Sequence, residues 1–367
     1  MRLALVGPFP PFRGGIAQFT DMLSSAFERY GDTVERISYR RLYPSLIFPG
    51  KSQTDLESPC PHKSLPLMDS VLPNRWAQAR KRIRSLNPDG ILTQWWHPFF
   101  APGLIRSLPP EIPSGAICHN ILPHESFPMA KWLTRRFLKR NDLIVTHSNT
   151  DRIMAQELSG RDCLLRLYLP LYDQYLESPI SRAEARRELG YGEGDRVLLF
   201  FGLIRPYKGL ADLIEAAEMM GTEIKLLIVG ECYSGCRELE QRLENSSLEE
   251  RVVWVDEFVP DTEVARFFRA ADLVVLPYRH STQSAVAQTA LAFRKPLVLT
   301  ETGGLSEVVD EGSTGFLVPP EDPAALAEGI LRGIELARET GLGERIAAKA
   351  GQFSWDEYVR RVRDRWP

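Results

Sequence analysis

Two cations stand three residues apart in a turn punctuated by glycine and proline, Gly202-Leu203-Ile204-Arg205-Pro206-Tyr207-Lys208-Gly209. The turn follows an apolar run at 197–201, read as a buried strand, and precedes an apolar-periodic segment read as a helix. Arginine holds phosphate through two parallel hydrogen bonds, whereas lysine acts as a compact point charge. In an open parallel sheet, ligands sit beyond the carboxyl ends of the strands, beside helix N-termini that favour anions. Arg205 and Lys208 are therefore expected to hold a phosphorylated ligand. The plainer alternative is a solvated loop.

Other loops in the same half repeat that placement. Pro277-Tyr278-Arg279-His280-Ser281-Thr282-Gln283-Ser284 runs from a strand near 273–276 into a helix over 284–293. Small hydroxyl residues there leave backbone N–H groups able to receive phosphate oxygens, or serve as ordinary caps. Val229-Gly230-Glu231 and Glu257-Phe258-Val259-Pro260 also follow strands. In the N-terminal half, the loop from Gly7 to Gly15 lies between strand and helix but lacks the G-x-G-x-x-G spacing of a dinucleotide site. His119 ends one strand, with His124 close behind, and Trp95-Trp96-His97-Pro98 ends another. A histidine at a strand end can position a reacting group, or it can be a satisfied structural residue. The tryptophans read as core or as a stacking wall for a sugar, with at least one expected in the core.

The elements that position these residues alternate strand and helix throughout. At 367 residues the chain is too long for one ordinary core. Two consecutive βα runs imply two doubly wound domains with a ligand cleft between them. We place them at 1–175 and 176–352, with a terminal helix over 353–367 packing back on the first. Strands are expected at 2–6, 34–38, 90–94, 115–118 and 143–147, then at 197–201, 224–229, 252–255, 273–276 and 297–300. The proline-rich stretch 43–74 reads as a long loop or flap. Ser148, Ser181, Asp322 and Ser354 each open a helix as an N-cap.

Composition is that of a globular chain, 44% hydrophobic and 25% charged, without a run of the roughly 20 apolar residues that spans a bilayer. The start, Met1 to Val6, is too short for a signal segment and reads as a first strand. Five scattered cysteines argue against a disulfide framework, and Cys232 and Cys236 lack the further ligands of a metal site. The expected compartment is a reducing cytoplasm. Residues 1–175 hold 22 Lys and Arg against 15 Asp and Glu, and residues 176–367 hold 23 against 33, or +7 and −10. That split fits a basic first half facing something anionic, or drift in surface composition. Segments 75–84 and 131–140 read either as basic helices on an anionic membrane or as packed helices with charged outer sides.

Together these phrases resemble the family-4 retaining glycosyltransferases, with the GT-B architecture of two facing Rossmann-like domains. The resemblance is carried by Gly202 to Gly209, Leu226-Leu227-Ile228-Val229-Gly230-Glu231 and Ala271-Asp272-Leu273-Val274-Val275-Leu276-Pro277-Tyr278. Lys295-Pro296-Leu297-Val298, Gly303-Gly304-Leu305-Ser306-Glu307-Val308-Val309 and Gly315-Phe316-Leu317-Val318-Pro319 extend it. It implies a nucleotide-sugar donor in the second domain, and in the first a sugar, glycolipid or lipid-linked acceptor. It implies that Arg205 and Lys208 grip the donor diphosphate, that Gly14 and Gly15 bring backbone close to phosphates or acceptor, and that His119 lies near the transferring sugar. Gly230, Glu231, Phe258, Ser281, Thr282, Gln283, Ser284 and Thr289 fall on the donor side, Phe258 at the nucleobase, with His97 and His124 on the acceptor side. Transfer would be retaining, without a required cofactor or divalent metal, at the inner face of the plasma membrane and without nucleic acid. The products would be cell-surface polysaccharide or glycolipid precursors.

Two departures stand out. Ser281 and Thr289 replace the family's two glutamates, and Leu203 stands where many members have arginine. Neither hydroxyl can be an ionised acceptor, so the donor sugar is not inherited from the resemblance. A non-catalytic nucleotide-sugar-binding assembly partner is the alternative, and an epimerase on the same architecture a third reading.

Overall fold

The computed structural model describes residues 1–44, 52–55, 60, 62–123, 127–233, 235–244, 246 and 248–367. It divides into two units, Met1–Tyr168 with Ser354–Pro367, and Leu169–Phe353.

The first unit runs β1 (Arg2–Val6), α1 (Gly15–Arg29), β2 (Thr33–Arg41), β3 (Leu65–Asp69), α2 (Pro73–Ser85), β4 (Gly90–Trp95), α3 (Ala101–Ser107), β5 (Ser114–Cys118), α4 (Ala130–Leu138), β6 (Leu143–Thr146), α5 (Asn149–Ser159) and β7 (Leu164–Arg166). Its strands form one parallel sheet in the order β3-β2-β1-β4-β5-β6-β7. Helices on both faces bury the central strands, so β4, β5 and β6 are buried at every position. The order reverses between β1 and β4, which makes their carboxyl ends the natural ligand crevice.

The second unit runs α6 (Arg182–Glu188), β8 (Arg196–Phe201), α7 (Leu210–Glu218), β9 (Ile224–Val229), α8 (Cys236–Glu244), β10 (Val252–Val255), α9 (Val264–Ala270), β11 (Leu273–Leu276), α10 (Ala285–Ala292), β12 (Leu297–Thr300), β13 (Gly315–Val318), α11 (Pro323–Leu336) and α12 (Leu342–Ala350). Its parallel sheet is ordered β10-β9-β8-β11-β12-β13 and reverses between β8 and β11. The last helix, α13 (Trp355–Asp364), groups with the first unit. It buries Trp355, Tyr358, Val359 and Val362, a one-sided stripe at helical spacing that packs on α1. Both units are doubly wound parallel sheets.

Local chemistry explains most element starts. Ser148 accepts the Asp151 N–H, Asp322 the Ala325 N–H and Ser354 the Glu357 N–H. Ser181 and Glu184 form a reciprocal capping box. Three strands arise where none was expected. β3 lies inside the stretch taken as loop, and Pro66 is tolerated because β3 is an edge strand whose one partner among the described residues is β2. β7 and β13 are edge strands of three and four residues, too short for periodicity to reveal. The units divide at Tyr168/Leu169 rather than at 175/176. The Leu171 N–H donates to the Phe353 carbonyl, and Tyr172 and Tyr175 are buried, which ties this segment to the second unit.

Candidate functional site

In the second unit, the loops after β8, β9 and β11 are stitched together at the carboxyl edge of the sheet. Ile204 N–H donates to the Glu231 carbonyl and Tyr233 N–H to the Ile204 carbonyl. Arg279 N–H donates to the Tyr207 carbonyl, while its guanidinium reaches both oxygens of Asp212 at 3.1 and 2.7 Å. Backbone approaches backbone at Gly230, where a Cβ would lie 2.2 Å from the Gly202 carbonyl oxygen. Gly230 also has φ 144°, so only glycine fits.

Lys208 lies inside this cradle. Its Nζ is 5.1 Å from the Tyr278 ring centroid, and a Cβ on Gly202 would come within 3.1 Å of it. Among the described residues the ammonium has no hydrogen bond and no ion pair. Burial, with a smaller contribution from the Arg205 charge, lowers its pKa from the ordinary lysine value. A half-buried cation beside a second cation is stabilised when an anion joins it. Arg205 sits on the Tyr233 ring at 5.1 Å. The same burial pushes the Tyr278 phenol up to about 12, so that ring stays neutral.

The neighbouring residues expected on the donor side divide by role. Ser284 caps α10 by accepting the Ala287 N–H. Ser281 Oγ donates to the Gln283 carbonyl and Thr289 Oγ1 to the Ala285 carbonyl. Both hydroxyls that replace the glutamates therefore turn back on their own backbone. The Thr282 carbonyl accepts from Gly304 N–H, which anchors this loop to the turn after β12. Glu231 is buried, Phe258 is half-buried after β10, and Gln283 lies in the same loop as Ser281. Cys232 and Cys236 are joined by a disulfide across the start of α8, with Cα atoms 6.0 Å apart. The scattered cysteines were expected to carry no disulfide framework, and this one pair is joined nonetheless.

In the first unit, Gly14 stands at the N-cap of α1 with φ 105°, and Gly15 opens the helix. The loop before it is held by an antiparallel bridge from Phe12 to Thr54 and by the Arg13 N–H, which donates to the Gln53 carbonyl. Trp95 is core, stacked on Phe137 at 4.3 Å, whereas Trp96 is half-buried and donates to the Tyr43 hydroxyl at 2.9 Å. His97 accepts the Phe99 N–H at 3.1 Å, a capping bond that fixes its ring. His124 lies outside the described residues. His119 is 7% exposed, with Nε2 2.7 Å from Gln94 Oε1. Burial, followed by the neighbouring His147 ring, holds its pKa well below the usual histidine range. Gln94 and His147 carried no motif in the sequence; the only available signal was that each stands at a strand end, as His119 does.

Comparison with known proteins agrees with this layout. The profile for glycosyl transferases group 1 matches residues 195–335, and that for glycosyltransferase family 4 matches residues 13–163. The D-inositol 3-phosphate glycosyltransferase of Geodermatophilus obscurus is 34% identical over 192 residues, 50% of this chain and 42% of that protein. TuaC of Bacillus subtilis, a putative teichuronic acid biosynthesis glycosyltransferase, is 28% identical over 273 residues, 70% of this chain and 67% of TuaC. The chain spans about half the length of the inositol-phosphate glycosyltransferases it matches. HepE of Anabaena, solved in complex with UDP, has the same fold, with a TM-score of 0.70 at 19% identity covering 99% and 100% of the two chains.

Proposed function

This chain belongs to the family-4 glycosyltransferases of GT-B fold, and on that footing we propose that it moves a sugar from a nucleotide-diphosphate donor to an acceptor hydroxyl with retained configuration. The observation that carries the reading is the Lys208 ammonium, half-buried beside the sheet's switch point and, among the described residues, without an ion-pair partner. A diphosphate supplies the missing anion. As the bond from sugar to phosphate breaks, negative charge grows on the leaving diphosphate, and Lys208 with Arg205 stabilises it without solvent reorganisation. A phosphate oxygen takes the acceptor's proton on the same face, which preserves configuration. In this reading the two cations supply the charge that a divalent metal would otherwise bring, so transfer proceeds in chelator.

The acceptor belongs to a cell-surface polysaccharide or glycolipid precursor at an anionic membrane, on the cytoplasmic side. The TuaC likeness supports the polysaccharide class. Helix α4 supports the membrane: it buries Phe137 and Leu138 and exposes Lys131, Arg135, Arg136 and the adjacent Lys139, with Trp132 51% and Met129 68% exposed beside them. Arg140, the fifth cation of that segment, instead turns inward to donate to the Leu108 carbonyl. No helix of the described residues is long and apolar enough to cross a membrane. Surface attachment of this kind rests on charge and interfacial aromatics.

Release of nucleoside diphosphate from a panel of UDP- and GDP-sugars tests the transferase reading. At least one donor should turn over, and Arg205→Ala or Lys208→Ala should slow it about 100-fold or more. Tight binding without turnover of any donor would favour the non-catalytic alternative. Binding to vesicles containing anionic phospholipid should be lost in Arg135→Glu with Arg136→Glu; unchanged binding removes the membrane from the account.

A further inference from the structure

The disulfide between Cys232 and Cys236 closes a covalent ring around the loop that carries Tyr233. Cys232 is pinned from two sides: it pairs with Ile204 in a parallel bridge, and its N–H donates to Asp256 Oδ1 at 2.7 Å. Tyr233 N–H donates to the Ile204 carbonyl at 3.1 Å, and the Arg205 guanidinium lies 5.1 Å from the Tyr233 ring centroid. Cys236 is the first residue of α8. The bond therefore fastens the start of α8 to the loop after β8, with Tyr233 held between.

This bond is a weak staple. It links residues four apart, so it removes little freedom from the unfolded chain and joins no distant elements. Both cysteines are half-buried, within reach of a small thiol. Cys60, Cys118 and Cys163 remain thiols, and Cys60 is exposed. Disulfides in reducing compartments are chiefly catalytic or redox-sensing, and the transferase reading puts this chain in such a compartment.

Opening the bond is a thiol–disulfide exchange. One thiolate of a dithiol attacks Cys232 Sγ, the bond between the two cysteines breaks, and Cys236 departs as a thiolate at the positive end of the α8 dipole. The second thiolate of the dithiol then attacks the reagent sulfur held on Cys232, which closes a cyclic disulfide and releases Cys232. The dithiol is oxidised, and its electron pair and both protons end on the two cysteines. A disulfide reagent runs the same exchange backwards.

We propose that Cys232 and Cys236 form a reversible dithiol–disulfide site whose closed form pre-organises Tyr233, and through its ring Arg205, for a diphosphate. Reduction loosens that support and weakens donor binding without removing a group that touches the donor. The effect on the donor rests on the transferase reading above; the loosening of the loop is a property of the chain itself.

Both parts are read on the full-length protein. Alkylation and peptide mass mapping should find Cys232 and Cys236 blocked after glutathione disulfide and labelled after dithiothreitol, with the protein folded in both states. Hydrogen exchange at Ile204 and Tyr233 should be about tenfold faster in the reduced protein. The dissociation constant of the tighter of UDP and GDP should rise about fivefold on reduction and fall again on reoxidation. Cys236→Ser should match reduced wild type in exchange and affinity and should not respond to dithiothreitol. Thermal melts identify a variant that fails to fold, and wild type in its two redox states gives the same comparison without a substitution. A bond that does not form, or that the native protein does not surrender to dithiothreitol, overturns the proposal. Equal exchange at Ile204 and Tyr233 in the two states, or equal nucleotide affinity, does so as well. If neither nucleotide binds either state, the transferase reading fails and the exchange rates alone decide whether the loop responds to the bond.

Discussion

At the scale of single residues, Lys208 holds a charge that the unliganded protein does not reward. Its lowered pKa means that the folded state binds this proton less tightly than the unfolded chain does. Replacing it by methionine removes that cost. We expect Lys208→Met to raise the melting temperature of the unliganded protein by about 2 °C or more while abolishing stabilisation by UDP. A drop in melting temperature would mean that the ammonium is satisfied as it stands. Arg205 and Lys208 were legible in the sequence because their significance lies in spacing and in a preceding strand, both visible in one dimension. Gln94 and His147 were not, since 25 and 28 residues separate each from His119. They meet only because β4, β5 and β6 are neighbours in the sheet. The departures at Ser281 and Thr289 were visible too, but not that both hydroxyls bond their own backbone.

At the scale of elements, the site depends on how closely the loops after β8 and β9 approach. Gly230→Ala would push its new methyl into the Gly202 carbonyl at a backbone angle that alanine rarely adopts. It should cost about 1–3 kcal/mol in denaturant unfolding and weaken UDP binding with it. Wild-type stability and affinity would show that the loops can part freely. The floor beneath α9 and β11 carries a pH signature as well. Lys295 Nζ donates to the Ala271 carbonyl at 2.7 Å, and burial pushes its pKa down to about 7. Between that value and the unfolded lysine value, the unfolded chain binds more protons, so this group's contribution to stability rises with pH. The stability of wild type relative to Lys295→Met should therefore increase from pH 7 to pH 10 in urea titrations; a flat difference contradicts it. Long strands and capped helices were readable from periodicity and from Ser148, Ser181 and Asp322. The edge strands β3, β7 and β13 were not, because three to five residues with one partner leave little pattern, and Pro66 argued against the first.

At the scale of the whole molecule, each unit has its own sheet, while α13 returns to the first and supplies Tyr358, which stacks on the His147 ring beside His119. Ending the chain at Phe353 should therefore lower the melting temperature of the first unit and leave nucleotide stabilisation of the second intact. Calorimetric scans should show UDP raising only the transition of the unit that holds Lys208, since a ligand stabilises what it binds in the folded form. The two-domain architecture was readable from the paired βα runs, but the boundary was not, because the segment after Tyr168 is tied to the second unit by the hydrogen bond from Leu171 N–H to the Phe353 carbonyl, which no local pattern announces. The division of charge, +7 against −10 across residue 175, supports the membrane reading only through particular side chains, and α4 shows which ones face outward. The most direct test of the central claim is isothermal titration of UDP and GDP into wild type and into Lys208→Gln. The account predicts micromolar binding of at least one nucleotide to wild type and about tenfold or greater weakening in the variant. Absence of binding to the folded wild type, or equal affinity in Lys208→Gln, would contradict it.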